Sequence, residues 1–141
     1  MGCAYLPRRC STITLTKYNN MRKIEALMCD AIRNRKSFKS GNTEVKLVTY
    51  GHNDHIQGET NVYLHGNWIA KITYYSDKPD YVNVNNCGWE SSTTKSRINS
   101  ILKTFTEWAV YQKAHTWYSY NYRQVAHDAL FPKNEWVHFK A

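Results

Sequence analysis

Thr93, Thr94, Lys95 and Arg97 crowd hydroxyls and positive charge into a few residues just ahead of an apolar repeat. That mixture suits anion chemistry. The first amides of a helix have no intrahelical acceptor, so hydroxyls and cations beside them make a place for a phosphate. The competing reading is structural. In it Thr93 or Thr94 caps the helix, Trp89 packs on a sheet, and Asn99 satisfies nearby backbone groups. Basic residues near a helix start oppose the helix dipole, so Lys95 and Arg97 call for a negative partner. It is either a bound anion or an internal carboxylate such as Glu90 or Glu107.

Other chemistry is thinly represented. In the loop Gly51-His52-Asn53-Asp54-His55, His52, Asp54 and His55 are of types that zinc or nickel accept, but further ligands at a recognisable spacing are missing. No metal or cofactor is expected. Neither a Ser or Cys in a Gly-rich elbow nor a phosphate loop occurs, and the carboxylates are scattered, so the expectation is a protein that is not an enzyme. Cys3, Cys10, Cys29 and Cys87 form no CxxC pair, which points to reduced thiols, with Cys29 acting as a small hydrophobe. Met1-Gly2-Cys3 invites acylation, but Leu6 stands where that pattern wants Ser or Thr.

Charge narrows the class of partner. Nine Lys and Arg residues lie in residues 1–39 against Glu25 and Asp30, a net +7 out of +8 for the 141-residue chain. Arg22, Lys23, Arg33, Arg35 and Lys36 dominate it. A basic segment of this kind suits a polyanion, although it also serves as a solvated face. No apolar run approaches the ~20 residues of a membrane span, and MGCAYLPRRC lacks the apolar core of a secretion signal. A cytoplasmic setting without membrane contact follows as the expectation.

The elements that must position these residues come next. Met21, Ile24, Leu27, Met28, Ala31 and Ile32 recur at helical steps, with Asn19 or Asn20 as cap and Lys39 to Asn42 as the stop. Alternating runs at 44–50, 60–65, 68–75 and 81–85 predict strands, with a compact turn at His65-Gly66-Asn67. Gly88 then breaks the last strand, Ser91 to Thr94 offer caps, and Ile98, Ile101, Leu102 and Phe105 give a second helix its apolar face. Beyond Thr106 aromatics become dense, including Tyr118, Tyr120 and Tyr122. They either complete a core, the commoner use, or stand exposed for bases. The expected fold is α+β: an N-terminal helix, a four-stranded antiparallel meander, a second helix packed on the same face of the sheet, and an aromatic C-terminal segment closing the core or adding strands. One domain spans 1–141, with 1–18 a flexible basic start and 118–141 a variable tail.

Three motifs carry a resemblance. GNTEV (41–45), VYLHGNWIAKI (62–72) and NNCGWESSTTKSRIN (85–99) resemble a group of small bacteriophage-encoded proteins of unassigned function. Their shared features are a Gly-Asn-Thr strand start, an HGN turn followed by Ile-Ala, and a Gly-Trp-x-[ST]-x-Thr-Thr-[KR]-x-Arg-[IL]-Asn segment. The last maps onto Gly88, Trp89, Ser91, Thr93, Thr94, Lys95, Arg97, Ile98 and Asn99. The similarity spans about residues 20–117, leaving the basic start and the aromatic tail outside it. It implies a phage origin and the infected bacterial cytoplasm, and no reaction.

The functional expectation is a non-enzymatic accessory protein that binds nucleic acid mainly through phosphates, using the first helix and the Thr93 to Arg97 segment. The alternative is an inhibitor whose basic face docks on an acidic surface of a host enzyme or defence factor. A minor virion component is the third possibility.

Overall fold

Helix α1 (Lys23–Arg33) buries Met28, Cys29, Ala31 and Ile32, while Leu27 is 44% exposed. The computed structural model describes residues 21–48, 57–76, 78–124 and 128–141, so Asn19, Asn20 and the basic start lie outside it, and Arg22 holds the N-cap position. The helix stops well before Lys39. Arg35 takes φ 54°, and the Arg35 and Lys36 amides return to the carbonyls of Ile32 and Ala31 at 3.2 and 2.9 Å. That is a Schellman ending with Arg in the left-handed position usually held by Gly, so composition does not reveal it.

Residues 38–42 are therefore not a stop. They form β1 (Phe38–Ser40) and a two-residue turn into β2 (Thr43–Val48), with Ser40 opposite Thr43 and Gly41 at φ 56°. β3 (Gly58–Leu64), β4 (Asn67–Tyr74) and β5 (Pro79–Val84) continue the antiparallel meander. At its tightest turn the positive φ falls on His65 (52°) and Gly66 (81°). Helix α2 (Ser92–Phe105) follows, then β6 (Trp108–Lys113), β7 (Thr116–Asn121), β8 (Ala129–Leu130) and β9 (Val137–Lys140). The expected four-stranded sheet is in fact six-stranded, in the order β1-β2-β3-β4-β5-β9, and β6-β7-β8 make a second antiparallel sheet. β1 is short and β9 is remote in sequence, so neither is visible as part of a local alternation.

Both described helices cover one face of the large sheet. Met28 and Ile32 of α1 join Ile98, Ile101 and Leu102 of α2, Val62, Ile72, Val82 and Val84 of the sheet, and Val110, Trp117 and Phe131 of the C-terminal part in one core. Tyr74 ties the layers together, its hydroxyl donating to the Ile32 carbonyl at 2.6 Å. Trp117, Phe131 and Phe139 are buried, so the aromatic segment does close the core, while Tyr122 and Trp136 remain exposed.

The β6–β7 hairpin turns on Ala114 (φ 51°) and His115 (φ 66°), between paired Lys113 and Thr116. Two left-handed residues without Gly or Asn are strained by about 1–2 kcal/mol each. Replacing Ala114-His115 by Asn-Gly is expected to raise stability by about 1–2 kcal/mol, read as a higher urea midpoint at unchanged slope.

Candidate nucleic-acid interface

The α2 start is capped by Ser91, whose Oγ accepts the Thr94 amide at 3.1 Å; Thr93 and Thr94 are not the cap. Lys95 and Arg97 consequently fall beyond the first three helical positions, where the dipole opposes them less. Arg97 is buried and fully engaged inside the chain. Its Nη1 meets Glu25 Oε2 of α1 at 2.7 Å, its Nε donates to Thr43 Oγ1 at 3.0 Å, and its Nη2 lies 3.5 Å from Asn42 Oδ1. Ser96 donates to the same carboxylate oxygen at 2.5 Å, and the Arg22 amide reaches Oε1 at 3.3 Å.

The negative group that Arg97 meets is therefore Glu25, rather than Glu90, Glu107 or a bound anion. The three motifs converge here. Asn42 and Thr43 belong to the Gly-Asn-Thr start, and Asn42 Nδ2 contacts His65 Nε2 of the HGN turn at 3.3 Å. Asn99 completes the segment by bonding both the amide and the carbonyl of Val110, at 2.7 and 2.9 Å, as the structural reading anticipates.

Burial alone would push the Glu25 carboxyl up, but Ser96, Arg97, Ser100 and the Arg22 amide together hold it below its usual value. A carboxyl lowered in the folded state stabilises the fold fully above the unfolded value of about 4.3 and loses that contribution as pH falls through the lower folded value. The urea midpoint should drop on acidification in that window. In Glu25→Gln, less stable at neutral pH, this part of the pH dependence should vanish.

The other nominated cations are scattered. Arg22, Lys23 and Lys36 are exposed, and Lys95 is half-buried. Arg33 pairs with Asp30 at 3.0 Å and lies 5.7 Å from the Phe105 ring centre. Arg35 stacks on Tyr74, 4.6 Å from its centre. Thr93 is half-buried and Thr94 buried, both beside a cavity described below. His52, Asp54, His55 and the Met1-Gly2-Cys3 start lie outside the described residues. Cys29 is a buried thiol pushed up to about 12 by burial, inert as expected of a core residue.

A second surface is absent from the sequence-based expectation. On the sheet face away from the helices, register places Lys46 opposite Asn61, Asn61 opposite Lys71, and Lys71 opposite Asn83. Tyr81 stands opposite Thr73 on one side and Lys140 on the other, and Asn83 opposite His138. No described helix covers them. Aromatic rings cluster on this face: Trp68 lies 6.4 Å from Tyr63 and 4.8 Å from Trp136, and Tyr81 lies 5.6 Å from Tyr75 and 4.8 Å from His138. Trp68, Tyr75 and Trp136 are 37%, 42% and 41% exposed, so their rings are open to a partner.

Lysines flank the rings. Lys46 Nζ is 5.2 Å from the Tyr63 centre, and Lys71 Nζ is 5.8 Å from the Trp68 centre and 3.6 Å from Glu59. A depression of about 390 Å³ opens between Lys71, Tyr75, Tyr81 and His138. The buried Asn61 Oδ1, between the two lysine rows, has no hydrogen-bond partner among the described residues. The polar half of each strand's period-two alternation was the available signal, because a polar face with regularly placed aromatics is what an uncovered sheet presents.

Residues 21–138 match the family model described as Kyanoviridae Gp96 protein. The match runs into the aromatic C-terminal segment, past the 20–117 span of the motif resemblance. No curated protein and no solved structure matches the chain. Among the described residues no helix is long and apolar enough to cross a membrane.

Proposed function

Because the chain belongs to the Kyanoviridae Gp96 protein family, a bacteriophage family, we propose that it is a non-enzymatic accessory protein of the infected bacterial cytoplasm that binds single-stranded nucleic acid. The observation that carries this reading is the sheet face that no described helix covers. Tyr63, Trp68, Trp136, Tyr75 and Tyr81 present rings on which bases stack whatever their identity, and Lys46, Lys71 and Lys140 stand where a backbone would run. Phosphates would supply affinity without much sequence readout. The exposed cations Arg22, Lys23 and Lys36 extend the positive field and steer association. Arg97, taken up by Glu25, has no part in it.

Fluorescence anisotropy with labelled single-stranded DNA and RNA tests the proposal. Binding should weaken steeply with added salt, and Trp68→Ala and Tyr81→Ala should each weaken it about 5- to 100-fold, since one stacked base is worth about 1–3 kcal/mol. Lys46→Gln should flatten the salt slope by about one unit. Undetectable binding at low salt, or binding indifferent to salt, would end this reading.

One observation favours a second reading. Exposed Trp68 and Trp136 in edge contact are also what anchors a protein interface, so the same face would suit docking on an acidic host enzyme or defence factor. A pull-down from nuclease-treated host lysate separates the two: one stoichiometric protein retained favours docking, and loss of every partner with nuclease favours nucleic acid.

A further inference from the structure

At the end of the sheet nearest the β3–β4 turn, a cavity of about 490 Å³ opens between that turn and the α2 start. Its volume is within the ~300–1,000 Å³ of small-molecule sites. Leu64 and Ile69 form part of its wall, and Ser91, Thr93 and Thr94 bring the helix start to it. The cap serves only the Thr94 amide, so Ser92 and Thr93, at the first two helical positions, keep amides without an intrahelical acceptor. The first turn contains no acidic residue. Nothing in the helix itself answers the positive end of its dipole.

Asn86, fully buried, lines the same cavity and supplies an independent indication. Its Oδ1 accepts the amides of Gly88 and Asn134 at 3.0 and 2.8 Å, which fixes the orientation of the carboxamide, because the flipped form would set Nδ2 against two donors. Nδ2 is then left without an acceptor among the described residues. An unmade bond on a buried donor is costly, and an acceptor entering the cavity would relieve it.

His65 adds another donor. Asn42 Oδ1 is the acceptor for Thr43 and Arg97, so Asn42 Nδ2 donates to His65 Nε2, and the neutral ring carries its proton on Nδ1. At the mouth stands Trp89, which the sequence reading packs on the sheet; it is 63% exposed instead. It is held by a tight turn in which its amide bonds the Asn86 carbonyl at 2.8 Å, with Cys87 at φ 56° and Gly88 at φ 78°.

We propose that this cavity binds a nucleotide, its phosphate at the Ser92 and Thr93 amides and Asn86 Nδ2, its base against Trp89. Unanswered donors select an acceptor-rich anion, and an exposed indole beside them selects a flat heteroaromatic body. The nucleotide is either free or the terminal residue of a strand. Only the strand-borne form rests on the nucleic-acid reading above, and the cavity shares none of the rings or lysines assigned to the sheet face.

Calorimetry on the full chain decides it, with adenosine and cytidine 5′-monophosphates, adenosine, inorganic phosphate, and short oligonucleotides bearing 5′-phosphate or 5′-hydroxyl. A mononucleotide should bind at least about 10-fold tighter than either adenosine or phosphate, and Trp89→Leu should weaken it by about 5- to 100-fold. Ser92→Pro removes one amide where proline is compatible with a helix start, and should weaken phosphate-bearing ligands with little change in melting temperature. A 5′-phosphate preference among oligonucleotides with weak mononucleotide binding identifies the strand-borne form, and the reverse identifies the free one. The proposal fails if no nucleotide or oligonucleotide binds in a way that Trp89→Leu and Ser92→Pro both weaken. Loss of sheet-face binding with cavity binding intact overturns only the nucleic-acid reading.

Discussion

Arg97→Met is expected to destabilise the protein by about 3–5 kcal/mol, the cost of leaving one member of a buried ion pair without its partner. Of its described partners Glu25 would keep Ser96, Ser100 and the Arg22 amide, in a site where its side chain is 2% exposed. Thr43, the first residue of β2, and Asn42 in the turn before it would lose their contacts to α2 at the same time. With total stabilities of about 5–15 kcal/mol for domains, such a loss brings the fold near its limit. The companion is Glu25→Leu with Arg97→Met, which removes both charges and should recover most of the loss, because a buried pair contributes little beyond an apolar replacement of similar volume. Urea midpoints for the two single variants and the double one measure the coupling. A single Arg97 variant as stable as the parent, with weakened anion binding, would falsify the internal role assigned to Arg97. Should the single variant fail to fold, the double variant still carries the test.

Asn99→Ala should cost about 2–4 kcal/mol, since it leaves both backbone groups of Val110 unpaired at about 1–3 kcal/mol each. Val110 is buried in β6, and the two bonds join α2 to the second sheet. The damage should be local. Amide exchange in β6 and β7 should accelerate more than in β3 and β4, whose ladder does not involve Asn99. Asn99→Asp keeps an acceptor for the Val110 amide but sets carboxylate oxygen against the Val110 carbonyl, so it should be at least as damaging. Equal exchange changes in both sheets would contradict the assignment.

Much of the fold is legible because its signals are local. β2 to β5 alternate in the period that a half-covered sheet requires, and their turns use ordinary turn chemistry. Ile98, Ile101 and Leu102 mark the buried side of α2 by spacing alone. The signal fails wherever a turn lacks its customary residue. Arg35 ends α1 in a conformation composition associates with Gly, and Ala114-His115 turns the β6–β7 hairpin without Gly or Asn. β1, β8 and β9, of 3, 2 and 4 residues, are too short to show a period and exist because a neighbouring strand supplies their partners.

The site divides in the same way. By itself the sequence determined the family, through three motifs, along with the antiparallel centre, the apolar face of α2, and the need of Arg97 for a negative partner. Which partner that is lay beyond it. Glu25 is 72 residues away on a basic helix, in a segment whose visible character is positive charge, and only the packing of α1 against α2 brings the two within 2.7 Å. The same packing decided which sheet face the described helices cover, leaving Trp68 exposed and Tyr81 and Lys71 half-buried on the other. Periodicity records that a residue alternates or recurs. Whether its face meets a helix or water depends on where distant segments come to rest.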